Sequence, residues 1–272
     1  MVFLPSNSVK TNYKTAIIKS VDNAFTLLSL FKHHKTEYTF NEMVNELNMS
    51  RGTVHRLLIT TQARGLIEHN PETNRYQLGI KLYTLGNIVA NNLAIKKEAA
   101  PFMRKVANQT GETLYLIIRK DYEALCIERI EGHNFVKIID LDVGKRIPLN
   151  IGGGPKILLA YMNDQDIKEW LNNGYMETWT DKSLVNPDLI WKEIYTIREN
   201  GYSSSYEDVT NGAAAIGAPI RDYQGCVIGA ISISGSTVNY AGDKRKHFID
   251  VIVKAGQEIS DRLALQKFDD AY

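Results

Sequence analysis

Two helix start signals, at Thr39 and Ser50, stand so close together that only one short helix and a turn fit between them. In "TFNE" (39–42) Thr39 and Glu42 have capping-box spacing, each side chain placed to satisfy an orphan backbone N–H. The helix that follows buries Met43, Val44 and Leu47, and Asn48 and Met49 turn the chain. Ser50 then caps a helix running to about Ala63, with Val54, Leu57, Leu58 and Thr61 facing inward. Arg51, Thr53, His55 and Arg56 are left outward on it. An earlier helix runs from its cap at Ser20 through Phe31, with Val21, Ala24, Leu28 and Phe31 as its buried stripe. Gly65 ends the third helix, and "LIEH" and "RYQL" read as strands around the turn-rich "NPETN".

This order of helices, turn and hairpin is that of a winged helix-turn-helix. Its third helix fits a DNA major groove about 12 Å wide, and the hairpin can lay Arg75 or Asn74 along a flanking phosphate or minor groove. Ser50, Arg51, Thr53, His55, Arg56 and Arg75 are the candidate DNA contacts. A capped helix with arginines also describes an ordinary solvated face, and helix-turn-helix folds also serve as protein-interaction modules. Charge adds a modest argument for DNA. The net charge is +1, yet residues 1–81 hold 10 Lys/Arg against 6 Asp/Glu and the remainder holds 22 against 25.

With 272 residues and 44% apolar composition, the chain has material for one large domain or two smaller ones. Cys126 and Cys226 form no C-x-x-C pair, which argues against a zinc cluster and suits a reducing, cytoplasmic setting. No secretory signal and no run of about 20 apolar residues is present, so no membrane role is expected. Residues 1–19 read as a loose arm.

"TVHRLL" followed by "GLIEHNPETNRYQLGIKLYTLG" resembles the IclR family of bacterial transcription regulators, in order and spacing, and the resemblance extends from about Ser20 to Leu265. It implies DNA binding by a front module (20–79) and small-molecule sensing by a back module (99–272). A linker helix (80–98) joins them and helps two copies dimerise. A stripe of Leu82, Leu85, Val89 and Leu93, with Ile88 beside it, suits that pairing, although packing on its own chain is the alternative. Pro101 fits the first turn of a further helix that ends at Asn108.

Behind the joint come strand-like "TLYLIIR", "EALCIERI" and "FVKIIDL", then helices in "PKILLAYM", "DQDIKEWL" and "DLIWKEIYTIREN". The strand-like "YSSSYE", "AAAIGAPIRD" and "CVIGAISISG" follow, and a long helix spans about Asp243 to Leu265. Such a pattern gives an α+β fold, an antiparallel sheet with flanking helices. The resembling effector domain is related to GAF and PAS folds.

"NIGGGPK" is not a phosphate loop: the G-x-x-x-x-G-K-[ST] spacing is absent and Ile157 stands where the magnesium-binding hydroxyl belongs. Three glycines before a helix can present backbone N–H groups to a carboxylate, or simply make a tight turn. In "SISG", Ser232 and Ser234 share one strand face. The resemblance assigns Gly153 and Gly154 as backbone donors to a small organic acid, Ser232 and Ser234 as hydroxyl contacts, and Val136 and Ile139 as apolar walls. The family often has an acidic residue where Ser205 stands, Cys where Ala215 stands, and His where Asn150 stands. The pocket is therefore expected to be roomier near Ala214 and Ala215 and less negative at Ser205, taking a larger carboxylate or a neutral compound rather than glyoxylate. No G-x-S-x-G is present, and only His133 and His247 of six histidines lie in the back module, without a readable acid and nucleophile. The expectation is an effector-controlled regulator, a repressor, acting as a homodimer or dimer of dimers on a DNA operator, with no cofactor, metal or catalytic residue. A metabolite-binding enzyme and a protein-interaction module are the alternatives.

Overall fold

A computed structural model describes residues 17–32, 34–91, 93–134 and 141–269. These divide between Val89 and Ala90 into two compact units.

The first unit holds α1 (Lys19–Leu28), β1 (Glu37–Tyr38), α2 (Phe40–Leu47), α3 (Arg51–Ala63), β2 (Ile67–Asn70), β3 (Arg75–Leu78) and the start of α4 (Ile80–Asn91). Two of the three anticipated caps are present, those at Thr39 and Ser50. The Thr39 hydroxyl accepts from the Glu42 N–H at 3.3 Å while the Glu42 carboxylate accepts from the Thr39 N–H at 2.7 Å. The Ser50 hydroxyl accepts from the Thr53 N–H at 3.2 Å. Asn48 makes the turn in the left-handed region at φ 51°, where asparagine is tolerated best after glycine. Leu27, Tyr38, Met43, Val54, Leu58 and Ile67 form the core, and Thr61 is buried beside it with its hydroxyl on the Leu57 carbonyl at 2.8 Å.

The first helix departs from expectation. It begins at Lys19 after Ile18, without a side-chain cap, and Ser20 lies inside it. It ends at Leu28 and turns Leu27 rather than Val21 into the core; Val21 is exposed. β1, which the sequence does not announce, pairs antiparallel with β3, so the wing is three-stranded in the order β1-β3-β2. The wing is also tied to α4: the Glu68 carboxylate accepts from the Ile80 N–H at 3.1 Å, at that helix's start.

The second unit opens on α5 (Ala94–Thr110), which runs through Pro101. Pro101 therefore sits in the helix interior rather than the first turn, where its missing N–H leaves one carbonyl without its helical donor. Asn91 ends α4, so the anticipated single joint helix to residue 98 is broken before Ala94. Leu93 packs with the second unit's core and is lost to the α4 stripe. Among the described residues six strands follow: β4 (Thr113–Lys120), β5 (Glu123–Ile130), β6 (Arg146–Pro148), β7 (Ser203–Tyr206), β8 (Ala213–Arg221) and β9 (Val227–Ser236). They form one antiparallel sheet in the order β6-β5-β4-β9-β8-β7. Between β6 and β7 come α6 (Gly153–Ala160), α7 (Asp164–Asn172) and α8 (Pro187–Asn200); α9 (Gly242–Asp269) closes the chain.

Strand periodicity sorts the residues between two cores. Leu114 and Leu116 of β4, Ala214, Ile216, Ala218 and Ile220 of β8, and Ile231 and Ile233 of β9 pack with α5 and α9. The opposite face turns Tyr115, Ile117 and Ala230 into the core shared with α6, α7 and α8. On that face β8 and β9 present Ala215, Gly217, Ser232 and Ser234, which are too small to fill the layer.

Candidate functional site

Two places carry candidate chemistry, one in each unit. On α3, Arg51, His55 and Arg56 are exposed and Thr53 is half-buried. Ser50 and Thr53 share a hydroxyl–hydroxyl hydrogen bond of 2.9 Å on top of the cap, so both are engaged in starting the helix. Arg51 is held from α2: its guanidinium donates to the Asn41 side-chain oxygen at 2.9 Å and lies 4.9 Å from the centre of the Phe40 ring. His55 meets the same ring edge-on at 6.4 Å. Val54 and Leu58 anchor the opposite face of α3 in the core. On the wing, Arg75 stands 3.6 Å from the Glu42 carboxylate, and Asn74 turns the hairpin at φ 52° with its side-chain oxygen 2.9 Å from His69 Nε2. The six DNA-contact candidates thus occupy the N-terminus and outer face of α3 and the hairpin end of the wing's central strand, and two arginines have neighbours that hold them.

In the second unit a cavity of about 160 Å³ opens where the small residues of β8 and β9 face α6. Gly153, Gly154, Ala215, Ser232 and Ser234, all anticipated, line it together with Gly152 and Pro155. The glycines have two separate causes. Gly152 needs its left-handed φ of 84°. Gly153 and Gly154 lie in the helix but have no room for a Cβ, which would come 2.9 Å from Ser232 Oγ and 2.7 Å from Ile117 Cδ1 respectively. Their bareness lets the start of α6 approach the sheet.

The two serines differ. Ser232 donates to the Ile216 carbonyl at 3.1 Å. The Ser234 hydroxyl is buried and has no hydrogen-bond partner among the described residues. A buried hydroxyl without a partner is costly, and this one lines a cavity that the N-terminal end of α6 also lines, where carboxylates are favoured. Ser205 sits elsewhere: it is buried behind the wall and donates to Asp208. Ala214 faces the opposite core, so only Ala215 widens the cavity. Val136 and Ile139 lie outside the described residues.

Behind the cavity lies a buried ionic group that sequence reading does not reveal. Lys156 Nζ is 2.7 Å from Asp208 Oδ2 and 3.0 Å from Glu193 Oε1, and the other Asp208 oxygen accepts from the Gly152 N–H at 3.3 Å. Burial alone would push the ammonium pKa down; the two carboxylates outweigh it and hold it above the usual lysine value. The lysine of "NIGGGPK" is therefore a strut under the glycine turn. The cavity wall also holds Tyr115, Ile117, Leu141, Lys145, Ile147, Trp179, Val209 and Thr210. Among them Tyr115 has its phenol pushed up by burial to about 12, so it stays protonated. Asn150 is not in the wall: its amide donates to the carbonyls of Glu177 and Leu184, at 2.9 and 3.0 Å.

Comparison with known proteins agrees with both halves. The family model described as "Bacterial transcriptional regulator IclR C-terminal" matches residues 88–261, and the "IclR helix-turn-helix domain" matches residues 20–71. The chain belongs to the IclR family. It is 29% identical to the transcriptional regulator XynR of Escherichia coli (strain K12), over 91% of this chain and 98% of that one. It is 30% identical to BhcR of Paracoccus denitrificans, over 92% and 89%. Among solved structures, an IclR homologue from Microbacterium hydrocarbonoxydans complexed with 4-hydroxybenzoate has a TM-score of 0.81 at 21% identity and covers 90% of this chain and 98% of its own. At that identity the likeness speaks for the fold. As a member of the IclR family the chain is a DNA-binding transcription regulator, and its relatives are named as regulators rather than enzymes. Among the described residues no helix is long and apolar enough to cross a membrane.

Proposed function

We propose that the chain is a ligand-controlled repressor, a homodimer that holds its operator through α3 and the wing and changes its grip when an organic acid occupies the cavity. The observation that carries this reading is the buried Ser234 hydroxyl, without a partner among the described residues, in the cavity that the start of α6 also lines. A carboxylate there would complete its hydrogen bonding and meet the positive end of the helix. The 4-hydroxybenzoate bound by the Microbacterium relative supports a small acid, and the relative named as the transcriptional repressor IclR of Escherichia coli supports a negative role. Arg56 and Arg75 would neutralise phosphates, and Arg51, Thr53 and His55 would reach base edges, with Ser50 setting the helix start. Coupling between the two sites of the size usual for such proteins, about 1–3 kcal/mol, suffices for a switch.

Binding to DNA from upstream of its own gene, measured over a salt series with and without small organic acids, tests this reading. Arg56→Ala should weaken binding and lower the slope of log K against log salt by about one. Ser234→Ala should keep operator affinity and lose the response to acid. A full-length protein that ignores its upstream DNA at low salt would sink the reading, whatever the cavity binds.

A further inference from the structure

One wall of the cavity comes from a strap that joins α7 to α8, residues 173–186, and this strap is unusually well fastened. Asn150 grips it at both ends through the Glu177 and Leu184 carbonyls and accepts from the Glu177 N–H at 3.4 Å. The Ser183 hydroxyl donates to the Asp208 carbonyl at 2.9 Å and accepts from the N–H groups of Trp179 and Thr180 at 3.0 Å each. The Thr180 hydroxyl donates to the Glu207 carbonyl at 2.6 Å. The indole N–H of Trp179 is itself held, donating to the Glu177 carboxylate at 2.8 Å. Trp179 is 40% exposed, its backbone N–H and its indole N–H each have a hydrogen-bond partner, and it lines the cavity. Ser234 is 5% exposed, so the lining includes both a residue open to solvent and one closed off from it.

We propose that Trp179 is the specificity-determining residue of this cavity, selecting a compact, ring-bearing monocarboxylate over two- and three-carbon keto acids. The inference rests on the reading of the cavity as a ligand site and adds what that ligand must look like. A cavity of about 160 Å³ is close to the roughly 150 Å³ that accommodates benzene. Its lining holds the apolar Ile117, Leu141 and Ile147, the aromatic Tyr115 and Trp179, and Lys145, together with Ser232, Ser234 and the glycines at the start of α6. A carboxylate placed there leaves its substituent between apolar and aromatic walls, which a ring fills and an acetyl or formyl group does not. Ring–ring contacts prefer offset or edge-on geometry, and a wall held in one orientation enforces that choice.

Titration of the full-length protein with benzoate and with pyruvate, followed by calorimetry and tryptophan emission, tests the proposal. Benzoate should bind more tightly than pyruvate and change the emission. Trp179→Ala should weaken benzoate by about tenfold, the loss of one good aromatic contact, and leave pyruvate unchanged. Trp179→Phe should keep most of the benzoate affinity and lose the emission change, which separates a wall function from a folding defect. Acid binding that depends on Ser234 but is indifferent to Trp179→Ala overturns this inference and leaves the cavity reading standing. Absence of saturable binding by either acid overturns both.

Discussion

Glu112 shows how much a single buried side chain can contain that its sequence neighbourhood does not advertise. It sits just before β4, almost wholly buried, with the Asn134 and Asn239 amides both donating to one carboxylate oxygen at 2.9 Å. Its other oxygen packs against Gly235, where a Cβ would have no room. Burial lifts its carboxyl above the ordinary glutamate value, outweighing the lowering by Asn239 and Asn134. A carboxyl whose folded pKa exceeds its unfolded one prefers to be protonated in the fold. Its stability penalty therefore sets in as pH rises through the carboxylate range and is complete above the folded value. Glu112→Gln keeps an acceptor oxygen and removes the charge. The variant should melt higher than the native protein at pH 7, with the gap closing as the pH is lowered below the glutamate range; a gap that is constant with pH would contradict this. Residue-scale legibility follows the same distinction. Ser232 and Ser234 are readable because period two is a local rule. Glu112 with Asn239, Lys156 with Asp208 and Trp179 with the cavity join residues far apart in the chain, and no local rule connects them.

At the scale of elements, the sequence is most informative where backbone groups need a specific side-chain partner. The capping box at Thr39 and the cap at Ser50 are set by atoms within three residues of each other, and both form as their spacing dictates. Ser20 has the same chemistry but lies one turn position inside α1, because Leu27, packed in the core, decides where that helix sits. Pro101 departs from its expected place for a related reason: the packing of Ile95, Ala99 and Met103 carries α5 through it. β1 and β6 are two and three residues long, too short for any alternation to register. α6 illustrates the reverse dependence, an element held by side chains distant in the chain. Lys156 ties it to Glu193 of α8 and to Asp208 between β7 and β8. Lys156→Met would leave the buried Asp208 without its counter-ion, a loss of about 3–5 kcal/mol. Thermal unfolding should fall by roughly 6–20 °C, with the DNA-binding unit's own transition unmoved. A fall of a degree or two would mean that the ion pair only offsets its own desolvation.

For the whole molecule, the helix-turn-helix match lies within the first unit and the C-terminal match almost wholly within the second. Among the described residues, the front unit exposes apolar side chains along two of its helices. On α4, Leu85, Ile88 and Val89 are 45, 56 and 63% exposed, and on α1 Val21 and Phe25 are 49 and 65% exposed. Single exposed apolar residues are ordinary, but runs on one helix mark an interaction surface. We propose a second copy of the same unit as the partner of this surface, as an operator with two half-sites about 34 Å apart would require. Leu85→Glu combined with Val89→Glu would place charges of one sign on both sides of that contact and leave the cores described above untouched. Sedimentation should then shift toward monomer. Operator affinity should drop by roughly a hundredfold or more, since each unit loses the effective concentration its partner supplied, while the binding of benzoate to the cavity stays as it was. If sedimentation and operator affinity are both unchanged, α4 does not join the two copies and the half-sites must be spanned through another surface.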